Sequence, residues 1–432
     1  MKQFLLIFIL FSSAAIFGQN EKDIKTYIPE LLTTYKHLHQ NPELSYLEKN
    51  TAKLLAKKMR SYGFKVTENF GGTGIVAILK NGKGPKILIR TDMDALPILE
   101  KTDVAYASKV KQKDIEGIER PVMHACGHDM HMSIWLGTAK YLANHKKEWK
   151  GSIMMIGQPA EERGGGSDAM LKAGLYQKFF IPDYALAIHI RSNLPAGTIS
   201  YCPGYAMANV DMAQIKFIGR GGHGAYPHGT IDPIVMAAQF VTDMQTIVSR
   251  EISPTDPAVV TVGSFHGGTK GNIIPSEVDL ELTIRSYKDE VRNHIIKALQ
   301  RKANAIAASY RVPKDKYPIV KLKDVYTPAL YNNPELVQQI IPNFKKLFGN
   351  NKIIKAEPVM GGEDFGRFGK TKEKVPIFMF FVSVVNQAKY DSYKKAGKIL
   401  PSLHSDLMIP DPEPSLETGI KAMVSAVKSL NK

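Results

Sequence analysis

Stretches with apolar residues three and four apart give way along this chain to short continuous apolar runs, and the change of period marks its elements. Over residues 22–40, Ile24, Ile28, Leu31, Leu32, Tyr35 and Leu38 form one helical stripe, and a second helical stretch over 46–62 stops at Gly63. Apolar strands follow at 74–79 and 87–89, then a helix at about 129–144 and strands at 153–156 and 184–188. Helices alternating with fully apolar strands predict an α/β fold: a mainly parallel sheet with helices on both faces. After about residue 206 the rhythm changes, with a strand at 210–218, a helix at 233–250 and a strand at 259–265. Residues 277–286 then alternate strictly, Val278, Leu280, Leu282 and Ile284 against Glu277, Asp279, Glu281, Thr283 and Arg285. That is the pattern of a half-buried antiparallel strand. With a closing helix at 288–310, a small α+β domain over 206–318 is expected, inserted into a larger one built from 19–205 and 319–432. Residues 377–382 form a late buried strand of the larger domain.

Length agrees with this division, since 432 residues exceed one ordinary core. A chain 44% hydrophobic and 23% charged is neither fibrous nor disordered. Lys2 precedes an apolar run from Phe4 to Phe11 and then Ser12, Ser13, Ala14, Ala15 and Gly18. This reads as a secretory signal peptide over 1–18, with the mature chain starting near Gln19 and a secreted or periplasmic location. The run is short for a membrane span of about 20 residues, and no cysteine follows it, so no membrane anchor is expected. The formal charge of +16 comes from scattered lysines such as Lys57, Lys58, Lys146 and Lys147. Without a nucleic-acid-binding motif beside them they read as solvated surface, and no nucleic-acid partner is expected. Cys126 and Cys202 are the two cysteines, and in an exported protein they could pair as a disulfide.

The candidate chemistry sits at strand ends and in loops. Asp92 and Asp94 follow the strand at 87–89, where α/β folds place their sites. Met123-His124-Ala125-Cys126-Gly127-His128-Asp129 can aim a thiolate and an imidazole at one point. Glu161 and Glu162 precede three glycines, which let backbone approach a ligand closely. His189 ends the strand at 184–188, and His404 lies in a loop opened by Pro401. Each of these alone reads equally as structure: a disulfide, an exposed helix start, a satisfied histidine. Together Cys126, His128, Glu162, His189 and His404 exceed one tetrahedral site and suit two ions sharing a bridge, with Glu161 as general base.

The chain resembles the aminoacylase-like metallopeptidase superfamily, and within it the amidohydrolase branch of hippurate hydrolases, N-acyl-amino-acid amidohydrolases and indole-acetyl-amino-acid hydrolases. The resemblance rests on Asp92-Met93-Asp94-Ala95-Leu96-Pro97, the Met123 to Asp129 heptad, Gln158-Pro159-Ala160-Glu161-Glu162, Gly221-Gly222-His223-Gly224-Ala225, Gly271-Asn272-Ile273-Ile274-Pro275 and Gly361-Gly362-Glu363-Asp364-Phe365. It implies a metal-dependent amidohydrolase that cleaves small N-acyl amino acids to a carboxylate and a free amino acid. The five residues above would hold two divalent ions, zinc or manganese first and nickel or cobalt also compatible. Glu161 would shuttle the proton, Asp92 would orient a ligand histidine, and His223 would stabilise the oxyanion. Asn272 and Arg285 would grip the substrate carboxylate, and the inserted domain would serve as a lid and a homodimer contact. The chain departs from the pattern at Arg191 and Ser192, where an aromatic and a proline are usual, and at Asp406, where a proline is usual. These departures bear on the acyl group. A carboxypeptidase or dipeptidase of the same superfamily is the neighbouring alternative. A non-catalytic, metal-loaded binding protein is the alternative of another class.

Overall fold

The computed structural model describes residues 23–323 and 326–431. The expected leader over 1–18 and the start near Gln19 lie outside them. In chain order, the main elements of the first unit are α1 (23–40), α2 (Lys49–Ser61), β1 (Lys65–Thr67), β2 (Ile75–Asn81) and β3 (Lys86–Asp92). They continue with α3 (His128–Asn144), β4 (Gly151–Gln158), α4 (Gly166–Lys172), β5 (Tyr184–Pro195) and β6 (Ile199–Tyr201). A second unit holds β7 (Asn209–Ile218), α5 (Pro233–Asp243), β8 (Ala258–His266), β9 (Glu277–Ser286), α6 (Asp289–Ser309) and β10 (Val320–Leu322). The chain re-enters the first unit with α7 (Pro334–Phe348), β11 (Ile353–Lys355), β12 (Ile377–Val385) and α8 (Pro412–Ser429).

Among the described residues, the first unit is built on an eight-stranded sheet in the order β1-β2-β4-β3-β5-β12-β6-β11. Its centre, β4-β3-β5-β12, is parallel. Every residue of β12 is buried, which requires cover on both faces, and the unit is an α/β fold with a mainly parallel sheet and helices on both sides. α3 is buried almost all round, as a helix apolar on every side must be. It meets α8 through reciprocal small residues: a Cβ on Gly137 would lie 2.3 Å from Ile420 Cδ1, and one on Gly419 would lie 2.4 Å from Ile134 Cδ1. That close approach fixes the axis of the helix whose first residue is His128. β3, β4 and β5 run in the same direction, so Asp92, the loop after Gln158 and His189 all arrive at the carboxyl end of the sheet.

The second unit is an α+β layer pair. Its sheet, in the order β8-β9-β7-β10, is antiparallel throughout. β9 follows the expected alternation, with Val278, Leu280, Leu282 and Ile284 packed into a core shared with α5 and α6. Two boundaries differ from the sequence reading. The expected helix over 233–250 ends at Asp243, and Ile247–Glu251 forms a wider π turn. Here Thr242, Gln245, Thr246 and Ser249 hydrogen-bond back to carbonyls three or four residues earlier, which competes with regular helix bonding. The unit also extends past 318. β10 pairs with β7, and Pro358–Gly366 joins through Val359 N donating to Ala206 O and Ala208 N donating to Gly361 O.

Candidate metal centre

The heptad turn sets the geometry. Gly127 has φ 78°, a left-handed conformation, and a Cβ there would lie 2.1 Å from Ile190 Cδ1. Only glycine can turn the chain so sharply in that space, and the turn sends Cys126 and His128 to the same cluster. Cys126 Sγ lies 3.5 Å from His189 Nε2 and 3.3 Å from His404 Nε2. His404 Nε2 is 3.5 Å from Glu162 Oε1, which in turn is 3.8 Å from His128 Nε2. Two donor groups thus share Cys126, one with His128 and His189 and one with Glu162 and His404. Cys126 and Cys202 are both free thiols, so the disulfide alternative is not realised. His404 reaches the cluster on a strained backbone, with φ 66° and its N–H donating to Ala125 O.

Each imidazole is fixed by its other nitrogen. His128 Nδ1 is 2.7 Å from the Asp94 carbonyl oxygen and donates to it, and His189 Nδ1 donates likewise to the Ile190 carbonyl at 2.8 Å. The Nε2 lone pairs are left facing the cluster, the arrangement metal-ligating histidines adopt. Buried His128 Nε2 and Glu162 Oε1 have no hydrogen-bond partner among the described residues. Such orphaned atoms are costly unless something else engages them.

The electrostatics point the same way. Burial disfavours charge on His128, yet Asp92, Asp94 and Glu162 outweigh it and push the imidazole up to about 10. Burial raises Glu162 to about 7, against His128 and with help from Asp94. Burial, followed by Glu162, Glu161 and Asp92, holds the Cys126 thiol far above its ordinary value. Too many acids compete for the few protons available, and a divalent cation is what such a pocket accommodates. The sulfur, nitrogen and oxygen donor set suits borderline transition metals.

Asp94, which the sequence named only as a strand-end carboxylate, and His131 and Glu48, which it did not single out, hold the arrangement. Asp94 accepts from the backbone N–H of Glu161 at 3.1 Å and of Glu162 at 3.0 Å, and from Ser45 Oγ at 2.6 Å. It therefore links both glutamates to His128. Asp92, expected to orient a ligand histidine, instead makes its short contacts to Arg90 and to His131 Nδ1, the latter at 2.7 Å. Its other oxygen is 3.7 Å from His128 Nε2. His131 Nε2 accepts from Ile190 N–H at 2.8 Å, so Nδ1 carries the proton donated to Asp92, and the strand bearing His189 is tied to α3. His131 stands one helical turn from His128 and could have been read from that spacing. Glu48 gave no such signal. It accepts from Ala160 N–H at 2.8 Å across the fold and steadies that residue's left-handed φ of 48°, just before Glu161.

The remaining candidates lie in the second unit. Gly222–His223 pairs with Ile273–Ile274, which brings His223 beside Asn272, and both are exposed. His223 Nδ1 accepts from Ala225 N–H at 3.0 Å, so the ring carries its proton on Nε2 as a donor. Arg285 lies on the polar face of β9, half-buried. It makes no ion pair among the described residues, its Nε donates to Thr283 Oγ1 at 3.1 Å, and burial pulls its pKa down.

Residues 88–402 match the profile of Peptidase family M20/M25/M40. The chain belongs to that family. His404 lies just beyond the matched residues, and its place rests on the geometry above. The thermostable carboxypeptidase 2 of Saccharolobus solfataricus is 37% identical over 417 residues, 95% of this chain and 98% of that protein. The hippurate hydrolase of Campylobacter jejuni is 38% identical over 348 residues, 79% of this chain and 85% of that protein. Among solved structures, the YXEP protein of Bacillus subtilis, a dinuclear metal binding peptidase from the M20 family, superposes with a TM-score of 0.74 at 28% identity, covering 94% of this chain and 98% of that one. This family member is a hydrolase of amide bonds, and its first unit has residue groups that could hold metal ions.

Proposed function

We propose that the protein is an exported amidohydrolase that cleaves N-acyl amino acids to a carboxylate and a free amino acid. Two divalent ions would be held by Cys126, His128, Glu162, His189 and His404. The observation that carries the reading is Cys126 Sγ standing within 3.5 Å of both His189 and His404, with Glu162 and the orphaned His128 Nε2 completing the ring. Bound there, such ions polarise a carbonyl and lower the pKa of a water molecule.

This chain's own residues then do the rest. Glu161, held at its backbone by Asp94, takes the proton from the attacking water and returns it to the leaving nitrogen. His223 donates from Nε2 to the oxygen that gains charge. Arg285 and Asn272 hold the carboxylate of the amino acid, for which a planar guanidinium is suited. The second unit would also carry a homodimer contact; β8 lies at the edge of its sheet and so has one unpaired side.

The test is metal analysis of the purified protein coupled to a substrate panel, with its mass in solution read by light scattering. About two ions per chain, dimeric mass and turnover of N-benzoyl- and N-acetyl-amino acids are expected. Turnover confined to unblocked peptides would replace this reading with a carboxypeptidase or dipeptidase, which the relatives named carboxypeptidase favour. A metal-loaded protein inert across the panel would favour a binding role.

A further inference from the structure

Among the described residues, Arg191 occupies a place with no acid to pair with. It follows His189 by two residues in β5, so strand alternation puts both side chains on the same face of the sheet. Phe381 of β12 lies directly opposite His189 in the parallel register. The Arg191 guanidinium sits 3.8 Å from the centroid of the Phe381 ring, and that ring is 6.3 Å from the ring of His189. Phe381 is 2% exposed, so the arginine is laid over a buried aromatic at the edge of the metal cluster.

Arg90 and Arg292, also withdrawn from solvent, each have a carboxylate partner. Arg90 is tied to Asp92 and Gln158, and Arg292 makes two bonds to Asp211, at 2.7 and 2.6 Å. Arg191 has no ion pair or hydrogen-bond partner among the described residues. A partly desolvated guanidinium without an anion is an unfavourable arrangement in the free protein. Stacking on Phe381 engages the flat face of the guanidinium and leaves the fork of N–H donors in its plane for a carboxylate.

We propose that Arg191 is a substrate anion subsite that selects N-acyl groups ending in a second carboxylate, of the succinyl or glutaryl type. The inference rests on the N-acyl amino acid reading, in which Arg285 and Asn272 already hold the carboxylate of the amino acid. That leaves the acyl group as the source of a second negative charge beside His189.

The experiment compares the metal-loaded wild type with Arg191→Gln and Arg191→Lys on N-acetyl-, N-succinyl- and N-glutaryl-L-leucine and on N-acetyl-L-glutamate. A charge-assisted contact predicts that wild-type kcat/KM favours the succinyl and glutaryl substrates over N-acetyl-L-leucine by about 10–100-fold, mostly through KM. Arg191→Gln should abolish that ratio, and Arg191→Lys should keep part of it. Metal content and melting temperature verify that each variant is folded; Arg191→Met, which keeps the stem over Phe381, replaces the Gln variant if that one is unstable. An unchanged ratio in the Gln or Met variant overturns the subsite. A preference for N-acetyl-L-glutamate that depends on Arg191 overturns its assignment to the acyl group. Turnover of neutral N-acyl substrates with no preference removes the subsite and leaves the amidohydrolase standing, whereas no turnover of any N-acyl amino acid removes both.

Discussion

The two units of this protein present functional side chains in opposite ways. In the first, Cys126, His128 and His189 are buried, and the two imidazoles have their second nitrogen clamped by a main-chain carbonyl. In the second, His223 on a two-residue ribbon and Asn272 beside it are exposed, and Arg285 has no acid to pair with among the described residues. The first is an arrangement fixed by packing, whose strain and crowded acids are tolerated because the core around it is rigid. The second is a set of donors pointing outward, whose energetic return comes with a ligand. Substitutions in the first should therefore alter chemistry or stability, and those in the second should alter substrate binding.

The largest expected effect is at Glu161. Glu161→Gln should lower kcat by about 10²–10⁴-fold, the usual contribution of a positioned base, while metal content by elemental analysis stays at the wild-type level. Near-normal turnover in a fully loaded variant would remove Glu161 from the chemistry. Next comes the contrast itself. Arg285→Ala should raise KM for N-acyl amino acids by about 10–100-fold and change kcat less, with an unaltered melting temperature. A large loss of stability in that variant would place Arg285 with the packed groups and erase the difference between the units.

The smallest effect is on the scaffold beneath the cluster. His39 of α1 is fully buried between Asp129 Oδ2 at 2.6 Å and Glu100 Oε1 at 3.0 Å. Asp129 follows His128 directly, so this pairing anchors the start of α3. Burial opposes charge on His39, but the two carboxylates raise it from 6.5 to about 9. A pKa raised on folding means that the stabilisation is complete below about pH 6.5 and is lost as the pH climbs through about 9. His39→Gln should therefore cost about 1–3 kcal/mol at pH 6, and the gap from wild type should close by pH 10 in denaturant melts. A gap that does not vary with pH would mean that His39 contributes by packing alone.

Much of this was legible before any coordinates. The strict alternation from Glu277 to Ser286 could belong only to a strand with one wet face, and β9 has that burial residue by residue. The apolar run of β12 could belong only to a strand covered on both sides. Residue type together with position in loops and at strand ends nominated the five candidate ligands, and the family motifs carried most of the case for them. Local signals carried less at helix ends, where Thr242 and Ser249 bonded back to the backbone and the expected helix broke early.

What the sequence determined by itself, then, was composition, periodicity and the identity of the reactive groups, since these depend on neighbours along the chain. Tertiary structure decided which of them meet. Asp94 spans 67 residues to catch the backbone of Glu161, and Glu48 spans 112 to hold Ala160. Asp92 turned toward His131, where Arg90 also reaches it, and not into a hydrogen bond with His128. Arg191 was left over Phe381 with no ion pair among the described residues, a fact that no spacing along the chain could foretell. Hydrogen-bond partners and burial are set by packing between distant segments, and packing is what a single sequence leaves unstated.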